Sequence, residues 1–206
     1  MDIVDISKVH LPFALFDYSS QLLMSKPENY YSRFNYASCE LWLCTEICHA
    51  INHEGQGLQQ VSQGDFFLYN EDYKRDLTLY SSGRALTPKI ETHIEMKVVY
   101  PVSKAKCLES MENLFNKLAR SFNFGHQLEG WVYLVWTQHY NLTPDDFFDS
   151  RISWIQEKIK SKGKVDEQSN KKMTYFSEIK TIADGILKWR GMDKRIIVKA
   201  IAFSFR

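Results

Sequence analysis

The sequence has no long apolar run, and this limits where the protein can reside. No stretch approaches the ~18 consecutive apolar residues that a membrane-spanning helix requires. The first ten residues, MDIVDISKVH, carry acidic side chains where a secretory signal is basic. We therefore expect a soluble cytoplasmic protein that has no membrane partner.

The chain also lacks an excess of charge of either sign, with 26 basic residues against 25 acidic ones. No overall electrostatic attraction to nucleic acid is predicted, so a polyanion site would need a local cluster. Segment 161–173 is polar and charged and is predicted to be a mobile basic loop. Four lysines in this loop are candidate phosphate contacts: Lys162, Lys164, Lys171 and Lys172. The alternative is a solvated helix end, where cations are favoured.

The four cysteines form no C-x-x-C pair, which argues against the commonest metal-binding spacings. Cys44 and Cys48 are one helical turn apart and lie beside His49, but they fall with Cys39 in an apolar helical segment. Free cysteine behaves there as a small buried hydrophobe. We therefore predict core packing for these cysteines rather than a metal site.

Hydrophobic periodicity predicts an α/β domain that spans residues 1–206, with a small mixed central sheet flanked by helices. The predicted elements follow in chain order: a helix from Pro27 to about His53, strands in DLTLY and ETHIEMKVVY that form an antiparallel hairpin, a helix in AKCLESMENLFNKLARSFNF, a strand in GWVYLVWTQHY, a helix from Thr143 that ends before Gly163, and a terminal strand in RIIVKAIAFSFR. The strand GWVYLVWTQHY is almost continuously apolar, which is typical of a central strand covered on both faces.

The second strand of the hairpin contains two charged residues that share a face. Alternate side chains of a strand point the same way, so Glu95 and Lys97 lie together while Met96 faces the opposite side. That face is either solvated, together with His93, or part of a site. Asp76 stands at the start of the preceding strand, where it could cap a turn or join the same site.

Asp76 followed by Glu95-Met96-Lys97 resembles the D…E-x-K motif of the PD-(D/E)XK superfamily, the restriction-endonuclease-like nucleases. Arg75 stands where that family usually has a proline. The order of helix, hairpin, crossover helix and strand is also similar to the core of the family. The similarity covers roughly residues 40–140 and implies a restriction-endonuclease-like core.

The resemblance implies a nuclease that uses Mg²⁺ to hydrolyse phosphodiester bonds, in DNA more than in RNA. Duplex DNA is then the expected partner, restriction, defence or other DNA processing is the expected role, and a homodimer is left open. Magnesium prefers hard oxygen ligands, which Asp76 and Glu95 supply. Lys97 could orient the attacking water or stabilise negative charge at phosphorus, and it would keep Glu95 ionised.

Families with this core often add a glutamate from the helix before the hairpin, and here Glu40 and Glu46 are candidates. At about 100° per residue, Glu40 lies roughly 40° from Cys44 and borders the apolar stripe, whereas Glu46 lies roughly 160° from Cys48. A carboxylate beside a core stripe is costly unless it is paired. We therefore select Glu40 as the auxiliary catalytic residue.

A hypothesis from another class competes with the nuclease. The chain could be a non-catalytic interaction protein, such as an immunity or adaptor protein, and its near-neutral charge agrees with that. The position of the acidic residues discriminates between the two. A nuclease needs the carboxylates of Asp76 and Glu95 to converge within metal-bridging reach, a few ångströms, with Lys97 alongside.

Overall fold

The described part of the chain is organised around one mixed β-sheet. A computed structural model describes residues 13–25, 31–34, 39–54, 66–71, 75–81, 89–101, 104–121, 128–138, 141–163 and 174–205. Within these ranges, seven strands form one sheet. They are β1 (Phe66–Asn70), β2 (Leu77–Ser81), β3 (Lys89–Val99), β4 (Leu128–Thr137), β5 (Thr174–Phe176), β6 (Lys180–Trp189) and β7 (Met192–Phe205).

The pairing of the strands sets the sheet order β1-β2-β3-β4-β7, with β5 and β6 both paired to β7. β1, β2 and β3 are antiparallel neighbours, and β4 lies parallel to β3. A parallel neighbour requires a crossover connection, which the helix between β3 and β4 supplies. β4 is buried at every position and lies between β3 and β7, which confirms the predicted central strand.

The described helices are α1 (Ala14–Ser25), α2 (Tyr31–Phe34), α3 (Cys39–His49) with a π-helical turn at Ala50–Glu54, α4 (Lys104–Ser121) and α5 (Pro144–Gly163). The sheet buries apolar side chains on both faces. Met96 and Trp131 pack in one buried cluster with residues of α1 and α3. Val132 and Phe203 pack in a second cluster with residues of α4 and α5. The predicted mixed α/β layer with flanking helices is confirmed.

Several predicted elements are confirmed, and others have different bounds. The hairpin, the crossover helix, α5 and the terminal strand are present, although α5 includes Gly163 instead of ending before it. The predicted helix from Pro27 to about His53 corresponds to α2, α3 and the π-helical turn, with residues 27–30 and 35–38 outside the described ranges. The structure adds α1, β1, β5 and β6 to the predicted elements.

The cysteines that the structure describes are core residues. Cys39, Cys44 and Cys48 are buried and form no disulfide. Burial raises the pKa of the Cys48 thiol to about 12 and also raises the pKa of Cys39 and Cys44. These thiols stay protonated near neutral pH, and core packing is confirmed for all three. Among the described helices, none combines the length and the apolarity needed to cross a membrane.

Candidate functional site

The candidate site is built on a strand edge that no described strand covers. β2 pairs with β3 only as far as Ile94, so the β3 amides beyond that residue that point away from β4 need other partners. Asp76 Oδ2 accepts a hydrogen bond from the Met96 amide at 2.6 Å. Glu40 Oε2 accepts one from the Val98 amide at 3.0 Å. Two carboxylates from distant parts of the sequence therefore take the place of a strand partner.

Glu95 is buried between two cations. Its side chain is 2% exposed, and Arg75 Nη1 lies 2.8 Å from Oε1. Lys117 Nζ, from α4, lies 2.8 Å from Oε2. A buried carboxylate needs such partners to offset its desolvation. The alternative of an ordinary solvated strand face is therefore wrong at Glu95.

Lys97 and Glu40 connect β3 to α3. Lys97 Nζ lies 2.9 Å from Glu40 Oε1, and the two side chains are about equally half-buried. Because Glu40 also accepts the Val98 amide, both of its oxygens are engaged. His93, the other residue expected on this face, is buried and its Nδ1 shares a hydrogen bond with Thr78 Oγ1 at 2.9 Å. His93 is thus held within the sheet.

The four residues selected from the sequence border one pocket, which we call the charged pocket. Its volume is about 160 Å³, and its lining consists of Glu40, Asp76, Glu95, Met96, Lys97, Ser110, Asn113, Leu114 and Lys117. Asp76 and Glu95 therefore border the same pocket as Lys97. Asp76 accepts a β3 amide rather than only capping a local turn.

Positive and negative charges balance at the charged pocket. Three carboxylates, of Glu40, Asp76 and Glu95, meet three cations, of Arg75, Lys97 and Lys117. Burial raises the pKa of Asp76 above its ordinary value, the Met96 hydrogen bond and Lys117 lower it, and Glu95 and Glu40 raise it further. Additional positive charge beside Asp76 would favour its ionised form.

The pocket contains the type of ligand that Mg²⁺ prefers, but some of its carboxylate oxygens are already paired with protein cations. Carboxylate oxygens are the right ligands, and Asp76 Oδ1 has no hydrogen-bonding partner among the described residues. Both oxygens of Glu95, however, are paired with protein cations. In the ranges that the structure describes, no group of three or more His, Cys, Asp or Glu side chains is arranged to hold a metal ion. Arg75 and Lys117 supply the positive charge that faces Glu95.

Sequence reasoning missed the two residues that hold Glu95. In the sequence, Arg75 stands out only because it occupies the place of the proline that is usual in the PD-(D/E)XK superfamily. Lys117 follows Leu114 by three residues and precedes Leu118, so it borders the buried stripe of α4. That is the criterion that selected Glu40, and it would have selected Lys117 as well.

The predicted basic loop falls mostly on residues outside the described ranges. Lys164, Lys171, Lys172 and the side chain of Lys162 lie outside the described residues. Comparison with known proteins adds no assignment: no family model, curated protein or solved structure matches the chain.

Proposed function

We propose that the protein is a magnesium-dependent nuclease with a restriction-endonuclease-like core that hydrolyses phosphodiester bonds in DNA. The observation that carries the proposal is the charged pocket. Asp76, Glu40 and the Glu95–Lys97 pair come from three sequence segments, and all four residues line it. The order α3, β1, β2, β3, α4, β4, with β3 parallel to β4, agrees with the proposed core.

The residues of the pocket would have different roles in the reaction. Asp76 and Glu95 would hold Mg²⁺, which supplies Lewis-acid polarisation of a phosphate oxygen when bound. Lys97 would orient the attacking water or stabilise charge developing at phosphorus. Glu40 fixes the Lys97 ammonium and the Val98 amide, so it positions the end of β3.

Duplex DNA is the proposed partner, and the proposed biological role is restriction, defence or another form of DNA processing. The role rests on the resemblance to the nuclease superfamily alone. Lys162, Lys164, Lys171 and Lys172 would add contacts to phosphates away from the pocket. A homodimer is compatible with the proposal.

The nuclease proposal is tested by replacing the buried carboxylate. Wild type, Glu95→Gln and a control variant, Glu91→Gln, are incubated with plasmid, linear duplex, single strands and RNA, each with magnesium and with chelator. Glu91 is on the same strand but pairs with Lys89 and Ser81, outside the charged pocket. We expect wild type and Glu91→Gln to cut DNA only with magnesium.

Cleavage by Glu95→Gln should fall by about 10²–10³-fold, the usual effect of removing one transition-state-stabilising group. Circular dichroism of the variant should match that of wild type, which would show that the fold is retained. Cleavage by Glu95→Gln at the wild-type rate would contradict the role of this carboxylate.

One observation favours the non-catalytic interaction protein as a second candidate. Each carboxylate in the pocket is hydrogen-bonded or ion-paired, and Glu95 is paired twice. A cluster whose charges are balanced in this way can have a purely structural role. If no substrate is cut and magnesium leaves the melting temperature unchanged, this candidate replaces the nuclease.

A further inference from the structure

The two cations on Glu95 differ in how tightly the protein surrounds them. Both lie 2.8 Å from a carboxylate oxygen, so distance does not separate them. The Arg75 side chain is 25% exposed, whereas that of Lys117 is 56% exposed. An ammonium is strongly hydrated and sits on a flexible stem, while a guanidinium is planar and weakly hydrated. Lys117 is therefore the partner that can exchange with solvent, and Arg75 is the fixed one.

We propose that Lys117 is a built-in competitor for the divalent cation at the charged pocket. Its ammonium donates a hydrogen bond to Glu95 Oε2 and would have to withdraw before an ion could bind that oxygen. The inference rests on the proposed function, because it concerns how the same pocket takes up Mg²⁺. Lys117 then controls the affinity of the pocket for the metal and takes no part in the chemical step.

The balance of charge in the pocket explains why a withdrawal is needed. Three carboxylates already face three cations, so a divalent ion entering the intact cluster would bring uncompensated charge into a half-buried site. Withdrawal of Lys117 leaves the carboxylates in excess by one. Metal binding is therefore coupled to the release of Lys117. The free energy needed to break the Lys117–Glu95 ion pair lowers the apparent affinity for the metal.

The position of Lys117 on α4 lets this exchange occur without moving the helix. Leu114, three residues earlier, is buried and anchors this part of α4 against the sheet. Asn113 and Ser110 line the same wall of the pocket. The lysine stem can therefore turn towards solvent at the pocket rim while the backbone stays in place.

The competition is tested by measuring metal binding directly. Wild type, Lys117→Met and Lys117→Arg are titrated calorimetrically with Mn²⁺ and with Mg²⁺, and melting temperatures are recorded with each ion and with chelator. Lys158→Met is the control, because it removes a lysine that pairs with Glu112 and lies over the Trp154 ring, outside the pocket. Methionine keeps an unbranched apolar stem and removes the charge.

We expect Lys117→Met to bind both ions about tenfold more tightly than wild type, since one partly screened unit charge no longer opposes them. Its melting temperature should rise more with metal than that of wild type. Lys117→Arg, which keeps the charge, and Lys158→Met should bind like wild type. Equal or weaker binding by Lys117→Met, including no binding by either protein, would overturn the competition.

A cleavage assay separates this inference from the nuclease proposal. Tighter metal binding by Lys117→Met without cleavage of DNA by either protein would support the competition and remove the nuclease. Cleavage by wild type with unchanged metal binding by Lys117→Met would keep the nuclease and remove the competition.

Discussion

Two carboxylates of the charged pocket, those of Asp76 and Glu40, have a structural role that is separable from their charge. Asp76 and Glu40 accept backbone amides that a strand partner would otherwise accept. An amide side chain could accept the same hydrogen bonds, because Asn and Gln also carry a carbonyl oxygen. Substitution by the amide therefore removes the charge and keeps the hydrogen bond, which makes Asp76→Asn informative.

Asp76→Asn should be at least as stable as wild type at pH 7. Burial raises the folded-state pKa of Asp76, so the folded protein retains this proton to higher pH than the unfolded chain does. Stability is then lost as pH rises from the unfolded pKa of about 3.9 through the raised folded pKa. The variant does not lose stability in this way. The difference in unfolding free energy between the variant and wild type should therefore grow over that pH window and vanish at lower pH. Urea unfolding of both proteins across this pH range measures it.

The opposite result would identify Asp76 as a structural counter-ion. In that case Asp76→Asn would be less stable than wild type by up to about 1 kcal/mol at pH 7, because Lys117 would lose a partly screened negative charge. Magnesium provides the second comparison. If Asp76 is a ligand, magnesium should raise the melting temperature of wild type more than that of the variant.

At the scale of single residues, the sequence predicted the side-chain directions but not all the partners. Strand alternation placed Glu95 and Lys97 on one face, and helical angles selected Glu40; all three line the pocket. The pairing of Glu95 with Arg75 and Lys117 depends on how closely α4 approaches β3. Periodicity within one element carries no information on that distance.

At the scale of elements, Gly130 sets how closely α4 approaches the sheet. It lies opposite Glu95 in the pairing of β3 with β4. A Cβ atom there would lie 2.7 Å from the Phe203 ring and 2.8 Å from a Leu118 methyl carbon. Both neighbours are fully buried, so neither has room to move. The missing side chain lets α4 bring Lys117 to Glu95.

Gly130→Ala should destabilise the protein by roughly 1–3 kcal/mol, the usual cost of overpacking a well-filled core. Gly185→Ala is the matched control, because its Cβ would meet the ring of Tyr31, which is only half-buried and can turn aside. Chemical denaturation should show the larger loss for Gly130→Ala. An equal or smaller loss would mean that α4 is not held by this contact.

The missed strand β6 shows why some elements could not be predicted. Its sequence contains Asp184 and Gly185, two residue types that strands disfavour. The Tyr31 ring lies against Gly185, and Tyr31 also donates a hydrogen bond to the Asp184 carbonyl at 3.5 Å. The reason for this composition is a contact more than a hundred residues away in sequence. Local propensity alone therefore argues against a strand that tertiary packing stabilises.

At the scale of the whole molecule, the formal net charge of +1 makes any binding of DNA depend on local clusters. Each phosphate neutralised on duplex DNA contributes about 0.9 to the slope of log affinity against log salt. If the proposed basic loop contacts DNA, replacing Lys162, Lys164, Lys171 and Lys172 by Ala should flatten this slope, by up to about 0.9 for each lysine that meets a phosphate. Fluorescence anisotropy with duplex DNA, with chelator present to prevent cleavage, measures the slope at several salt concentrations.

A variant with Lys89→Ala and Lys188→Ala, two exposed lysines on β3 and β6, tests whether any loss of positive charge has the same effect. An unchanged slope in the four-lysine variant, or an equal fall per lysine in the control, would show that the loop does not form part of a DNA-binding surface.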